Sequence, residues 1–475
     1  MQLSITAGAQ GSHHKNPLSA REAGKFTAIL FGIAIAALAV RIVPVVTRGD
    51  VDWAMEPNGD SAAYINLATG LRRGCGFVRW AGAQCNARET NRTPGYPAFL
   101  SLMPGLRAAL IAQGVLWSLL CFFVGHFTAT VAGARAGYCA AGIIAADVPS
   151  IVSSNEIMSE TLFTALLVGA ALAELEVLRS GDCPSKLYCL LASAMLGLAL
   201  LVRPIAELLI PFFTVAPVLL DGCSCSRRVL MAILVAAGPV LCGTAWTLRN
   251  YSVAHVAAIS TIGGLNFFYY RADGTLAFAS GSGWAETLAR TKPVRNVGLT
   301  TQACRIILHH PFAFIAMTLW SFIYLCWVPD RAPLAQFLGI PSAWRVEDPG
   351  SVRIETLVHK LWAGNFAELS IVSTQELHSS IVLWLLVTFQ LMMIGFAWAG
   401  VALALKKCAR LRSPLSRCVL FAFAIVILIL LLASGPEAVA RFRIPATPLL
   451  ALLAGVGWFG ISEPGPTPSQ APTTN

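Results

Sequence analysis

The chain has 475 residues, enough for roughly two or three soluble domains, but its composition excludes them. Charged residues make up 12%, about half the usual globular share, while hydrophobic residues make up 56% and mean hydropathy is +0.67. A soluble fold could not hide that much apolar surface, so this is a polytopic membrane protein, and much of its net charge of +10 follows from Lys and Arg in cytoplasmic loops rather than nucleic-acid binding, the remaining arginines lying in polar loops able to hold anionic groups.

Residues 1–25 are polar and read as a cytoplasmic tail. The first apolar run, Phe26 to Val46, has the ~20 residues needed to cross a bilayer and is too long for a signal-peptide core, so it reads as a retained first helix. Further apolar segments fall at 107–131, 136–149, 158–178, 187–202, 204–220, 229–248, 311–329, 381–405, 417–434 and 445–460. Each must be helical, because lipid offers the backbone no hydrogen-bond partner. The expected fold is all-α, with about 10–12 transmembrane helices in a domain spanning 26–462, and an external first loop that carries short interfacial helices.

Arg135, Arg179 with Lys186, Arg227 with Arg228, and Lys406 to Arg417 lie in short connections that fall on one side, which the positive-inside rule makes cytoplasmic. The other side then receives the first loop (47–105), the Asp147–Glu160 turn, the Arg203-Pro204 bend, residues 249–310 and the Glu437–Arg443 loop. One parity conflict remains. Residues 249–310 and the start of the 381–405 span should share a side, so either 311–329 is re-entrant or interfacial, or a second crossing lies in 355–372 of the 330–380 loop. The tail 463–475 is rich in Pro, Thr and Ser and is expected to be disordered. The 13 cysteines show no metal-ligand spacing. Cys75 and Cys85 lie in the first loop and are able to pair if it faces an oxidising compartment.

Within the first loop, Tyr64, Leu67, Ala68 and Leu71 share one face of a short helix over 61–71, with Asp60 at its N-terminal end. Pro94-Gly95-Tyr96-Pro97 then forces a turn before the second span. Asp60, Tyr64 and the run Arg92-Thr93-Pro94-Gly95-Tyr96-Pro97 together resemble the first external loop of the GT-C glycosyltransferases. The resemblance is to the bacterial branch related to protein O-mannosyltransferases, lipid A aminoarabinose transferases and rhizobial galacturonosyltransferases. Met158 to Phe163, Leu201-Val202-Arg203-Pro204, Trp246 to Tyr251 and Arg441 to Pro448 fit the same order, so the resemblance covers about 55 to 455. It implies inverting transfer of a sugar from a polyprenyl-phosphate carrier to an envelope lipid, glycan or protein, on the external face of a bacterial inner membrane.

Such chemistry needs a base for the acceptor hydroxyl and cations for the departing phosphate. Asp60 is the candidate base; its alternative role is to cap the 61–71 helix. Many relatives carry a second acid next to it, where this chain has Ser61. Glu160 is the second catalytic candidate; otherwise it complements its helix dipole, with Ser159 or Asn155 as cap. Arg203, Arg249, Arg441 and Arg443 are candidates for phosphate or acceptor contact, with Arg92, Tyr64 and Tyr96 also placed at the substrate. For Arg203 the competing role is snorkelling to the interface. His309 and His310 are adjacent, cannot face one way on a helix and find no third ligand at suitable spacing, so no metal is expected. The resemblance leaves a divalent cation open. There is no Gly-rich phosphate loop and no DxD site, which favours a lipid-linked donor over a nucleotide sugar. The alternative reading is a transporter or flippase of a lipid-linked or anionic substrate, which would want broken helices and ionisable groups near the bilayer midplane.

Overall fold

The structure is a computed structural model and describes residues 20–55, 59–81, 84–180, 185–220, 223–294, 297–329, 331–339, 381–409, 414–436 and 438–460. The further crossing considered within 355–372 and the C-terminal tail lie outside these residues.

The chain is a multi-pass membrane protein. Among the described residues seven helices are long and apolar enough to cross a bilayer: Glu22–Thr47, Leu106–Ala132, Glu160–Arg179, Cys225–Ala254, Ile381–Cys408, Leu415–Ala433 and Ala440–Phe459. The number becomes nine if each of two bent pairs counts as one span, and the shorter apolar helices Lys186–Val202 and Pro204–Val218 are the further spans that a count of ten to twelve draws on. The last helix forms the centre of the bundle. Its apolar stretch is 83% buried, against 22% for Cys225–Ala254 at the rim. Close packing at the centre depends on glycine: a Cβ on Gly457 would collide with the backbone carbonyl of Gly400. Lys407 Nζ donates to the Gly457 carbonyl at 2.7 Å across the same pair of helices.

One bent pair is Ala134–Ala146 with Val148–Ser154, at 55°. Asp147 sits at the break and its carboxylate accepts from Ser150 N at 3.0 Å and Gln390 Nε2 at 2.8 Å. Arg41 completes this buried network, donating to Ser150 Oγ at 2.9 Å and Ile144 O at 3.3 Å. Buried charges persist in lipid when they are paired and hydrogen-bonded in this way. The other pair, Leu299–His309 and Pro311–Trp327, is bent by 99° at His310-Pro311, so the 311–329 segment is not a straight continuation of what precedes it.

Two features of the loops depart from the sequence reading. The first loop contains not only the helix Asp60–Arg72 but a two-stranded antiparallel hairpin, Val78–Ala81 with Gln84–Arg88, with Cys75 and Cys85 joined in a disulfide. Strands of four and five residues are too short to show an alternating pattern against so apolar a background. Residues 249–310 are largely helical rather than loop. The Cys225 helix runs on to Ala254, and short helices follow at Ile262–Asn266, Asp273–Ser280, Trp284–Arg290 and Leu299–His309, with a π-helical turn at Phe267–Ala272. They are held by local aromatic packing, such as Trp284 stacked on Tyr270 at 5.3 Å.

Candidate active site

Gly59 has φ +88, a left-handed conformation that glycine adopts without strain, and it occupies the cap position. Asp60 is therefore the first residue of the helix and not its cap. Its carboxylate turns instead to Arg92, with which it forms an ion pair. Arg92 Nη1 also lies 3.5 Å from the Tyr64 hydroxyl, and its guanidinium stands 5.2 Å from the centre of the Tyr64 ring. Burial works against the Arg92 charge, but Tyr64 and Asp60 beside it outweigh that and hold its pKa above the ordinary arginine value.

The contacts continue through Tyr64, whose hydroxyl is 3.3 Å from Ser159 Oγ. The next residue, Glu160, opens the Glu160–Arg179 helix and is 1% exposed. Arg203 pairs with it at 2.6 Å, reaching across from the end of the Lys186–Val202 helix just before Pro204. Arg441 is close enough to act electrostatically on both members of that pair. Two carboxylates and three guanidinium groups thus belong to one charged cluster that draws on five separate segments, with Tyr64 and Ser159 linking its two ion pairs. The side chains of Arg92 and Arg203 remain partly open, 22% and 28% exposed.

The segment 92–95 owes its place to two contacts. Thr93 Oγ1 donates to the Val202 carbonyl at 2.9 Å. A Cβ on Gly95 would come within 2.7 Å of Val202 Cγ2 and 2.8 Å of the Leu201 carbonyl. Together they bring Arg92 to the same side as Arg203. Sequence reasoning included Thr93 and Gly95 in the Arg92–Pro97 run but gave neither a role.

Three expected substrate residues are engaged in other contacts. Tyr96 is fully buried, donates to Gln113 Oε1 at 2.8 Å and packs edge-on against Tyr64 at 4.9 Å, so it supports the site from beneath. Arg249 lies inside its helix, not at the end. It donates to the carbonyls of Glu89 at 2.6 Å and Phe77 at 2.7 Å, and its guanidinium lies 4.9 Å from the Trp246 ring. Arg443 is 2% exposed and donates to the carbonyls of Leu325 and Val328 at 2.8 and 2.9 Å. Among the described residues no group of three or more His, Cys, Asp or Glu side chains is placed to hold a metal ion.

Solved structures share this architecture. The oligosaccharyltransferase of Archaeoglobus fulgidus in the apo form matches with a TM-score of 0.51 and 15% identity, covering 92% of this chain and 51% of that one. The archaeal oligosaccharyltransferase AglB from the same organism, in complex with an inhibitory peptide and a dolichol-phosphate, matches at 0.50 and 15%, covering 92% and 50%. ArnT from Cupriavidus metallidurans bound to undecaprenyl phosphate aligns at 0.40 and 14%, covering 92% and 60%, too low a score to add to the argument. The chain spans about half the length of the oligosaccharyltransferases it matches. No protein-family model and no curated protein matches it. The fold is that of the archaeal oligosaccharyltransferase's matching half.

Proposed function

We propose that this chain is a membrane glycosyltransferase that moves a sugar from a polyprenyl-phosphate carrier to a cell-envelope acceptor. The observation that carries the reading is the meeting of the Asp60–Arg92 and Glu160–Arg203 pairs at Tyr64 and Ser159. Asp60 takes the proton of the acceptor hydroxyl. The oxygen so freed bonds to the anomeric carbon, with inversion. The carbon–oxygen bond to the carrier breaks, and its electron pair stays with the departing phosphate.

Arg92, Arg203 and Arg441 hold that phosphate as its charge grows. The phosphate competes with Asp60 for Arg92, so donor binding releases the carboxylate to face the acceptor. Glu160 keeps Arg203 aimed, while Arg249 and Arg443 brace the backbone. The prenyl chain lies in the bilayer. An external site in a bacterial inner membrane is supported by the distribution of Lys and Arg and by the Cys75–Cys85 bond. The dolichol-phosphate bound to the archaeal oligosaccharyltransferase supports a lipid-linked donor.

The transport reading draws on the helix broken at Asp147 beside buried Arg41. The test is mass spectrometry of envelope glycolipids and glycans from cells with and without the gene, followed by transfer assays on purified protein with undecaprenyl-phosphate sugars, with and without chelator. Loss of one glycoform supports transfer. An unchanged profile with altered uptake of a solute overturns it.

A further inference from the structure

We propose that Glu89 is the positioning residue that presents Arg92. What Arg92 then holds, the donor phosphate, rests on the glycosyltransferase reading. Glu89 follows the hairpin directly and is 2% exposed. Its Oε1 accepts the backbone N–H of Asn91 at 2.5 Å and that of Arg92 at 3.3 Å. Its Oε2 pairs with the Arg79 guanidinium. Its own carbonyl accepts Arg249 Nη1 at 2.6 Å. A single buried residue therefore ties the turn that carries Arg92 to the hairpin on one side and to the Cys225–Ala254 helix on the other.

The same turn is fixed from a third direction. Ser260 Oγ donates to the Asn91 carbonyl at 2.5 Å, and Thr261 N donates to the Thr90 carbonyl at 3.0 Å. Glu89 is itself buried and its carboxylate is engaged with the Asn91 and Arg92 amides and Arg79, so it acts through Arg92. The physical need is plain. An arginine carries about 2 kcal/mol of rotamer entropy, and it grips an anion well only from a backbone that is already in place. Hydrogen bonds from N–H groups to an ionised, buried carboxylate are about twice as strong as neutral ones, which makes Glu89 a firm anchor for two consecutive amides.

The test uses the purified full-length protein and two readouts. The first is hydrogen exchange of the 89–95 backbone, and the second is binding of undecaprenyl phosphate. In Glu89→Ala the amides of Asn91 and Arg92 should exchange about tenfold faster, and undecaprenyl phosphate should bind about tenfold more weakly, as expected for a lost charged hydrogen bond. The double variant with Arg92→Ala should bind no more weakly than Arg92→Ala alone. Glu89→Gln keeps an acceptor at Oε1 but loses the charge and the Arg79 pair, and should fall between the wild type and Glu89→Ala. Should Glu89→Ala not fold, Glu89→Asp tests the same point, since one methylene less cannot reach both amides. Unchanged exchange at Asn91 and Arg92, or additive effects in the double variant, overturns the proposal. Faster exchange in a protein that never binds undecaprenyl phosphate upholds the positioning of Arg92 and overturns the functional reading instead.

Discussion

Thr93 Oγ1 donates to the backbone carbonyl of Val202 at 2.9 Å, joining positions 109 residues apart. Val202 ends its helix, so its carbonyl has lost its intrahelical donor, and Thr93 supplies one. The bond sets the distance between Arg92 and Arg203, the residues next to each of its partners. Thr93→Val should therefore cost about 1 kcal/mol of stability and lower transfer several-fold, with Thr93→Ser close to wild type. Gly95→Ala should be worse, destabilising by about 1–3 kcal/mol, because its Cβ meets backbone as well as Val202. Thermal unfolding and transfer rates on the purified variants check both.

Asp60→Asn should abolish transfer, lowering the rate by at least about 100-fold, while the protein stays folded in the membrane. The side chain keeps its size and a carbonyl oxygen for Arg92, but it can no longer take a proton. Activity in purified Asp60→Asn enzyme comparable to wild type would remove Asp60 from the role of base.

The Glu160–Arg203 pair should behave as one unit. Glu160 is almost fully buried, so Arg203→Ala strands a carboxylate and should cost about 3–5 kcal/mol of stability. Glu160→Gln should restore much of that loss in the double variant without restoring transfer. A double-mutant cycle read by denaturation measures the coupling, and simple additivity would count against the pair.

Stability should also depend on pH through Asp273. This residue is fully buried at the start of Asp273–Ser280, and burial pushes its carboxyl up from 3.8 to about 6, with the Thr291 hydrogen bond pulling the other way. The folded-state pKa lies above the unfolded value, so the stabilisation is complete below 3.8 and is lost as pH rises through about 6. The loss should be on the order of 3 kcal/mol. Its effect should reach the site, because this region leans on the segment that leads to Arg441: Arg271 Nη2 donates to the Leu432 carbonyl at 2.6 Å, and Gly274 sits against Pro436. Asp273→Asn should flatten the pH profile between about 4 and 6 in thermal unfolding. A profile unchanged by that substitution would assign the dependence to another group.

What the amino-acid sequence determined by itself was the class of the protein and the limits of its long helices. Segments read as 107–131 and 158–178 are helices at Leu106–Ala132 and Glu160–Arg179. Transfer into lipid is decided residue by residue along a local run, so it is legible without knowing any partner. The polar residues of the first loop, Glu160 and Arg203 also stood out locally, as charges at the ends of apolar runs. Tertiary structure alone decided which charge meets which. Arg92 reaches back 32 positions to Asp60, whereas Arg249, no less exceptional in sequence, is taken up by a carbonyl 160 positions away and Arg443 by one 115 positions away. An arginine beside a ligand and an arginine clamping a backbone carbonyl present the same local sequence, because a guanidinium serves either partner equally well. Only the long-range packing of the first loop against the bundle separates the two, through Thr93, Gly95 and the buried Glu89.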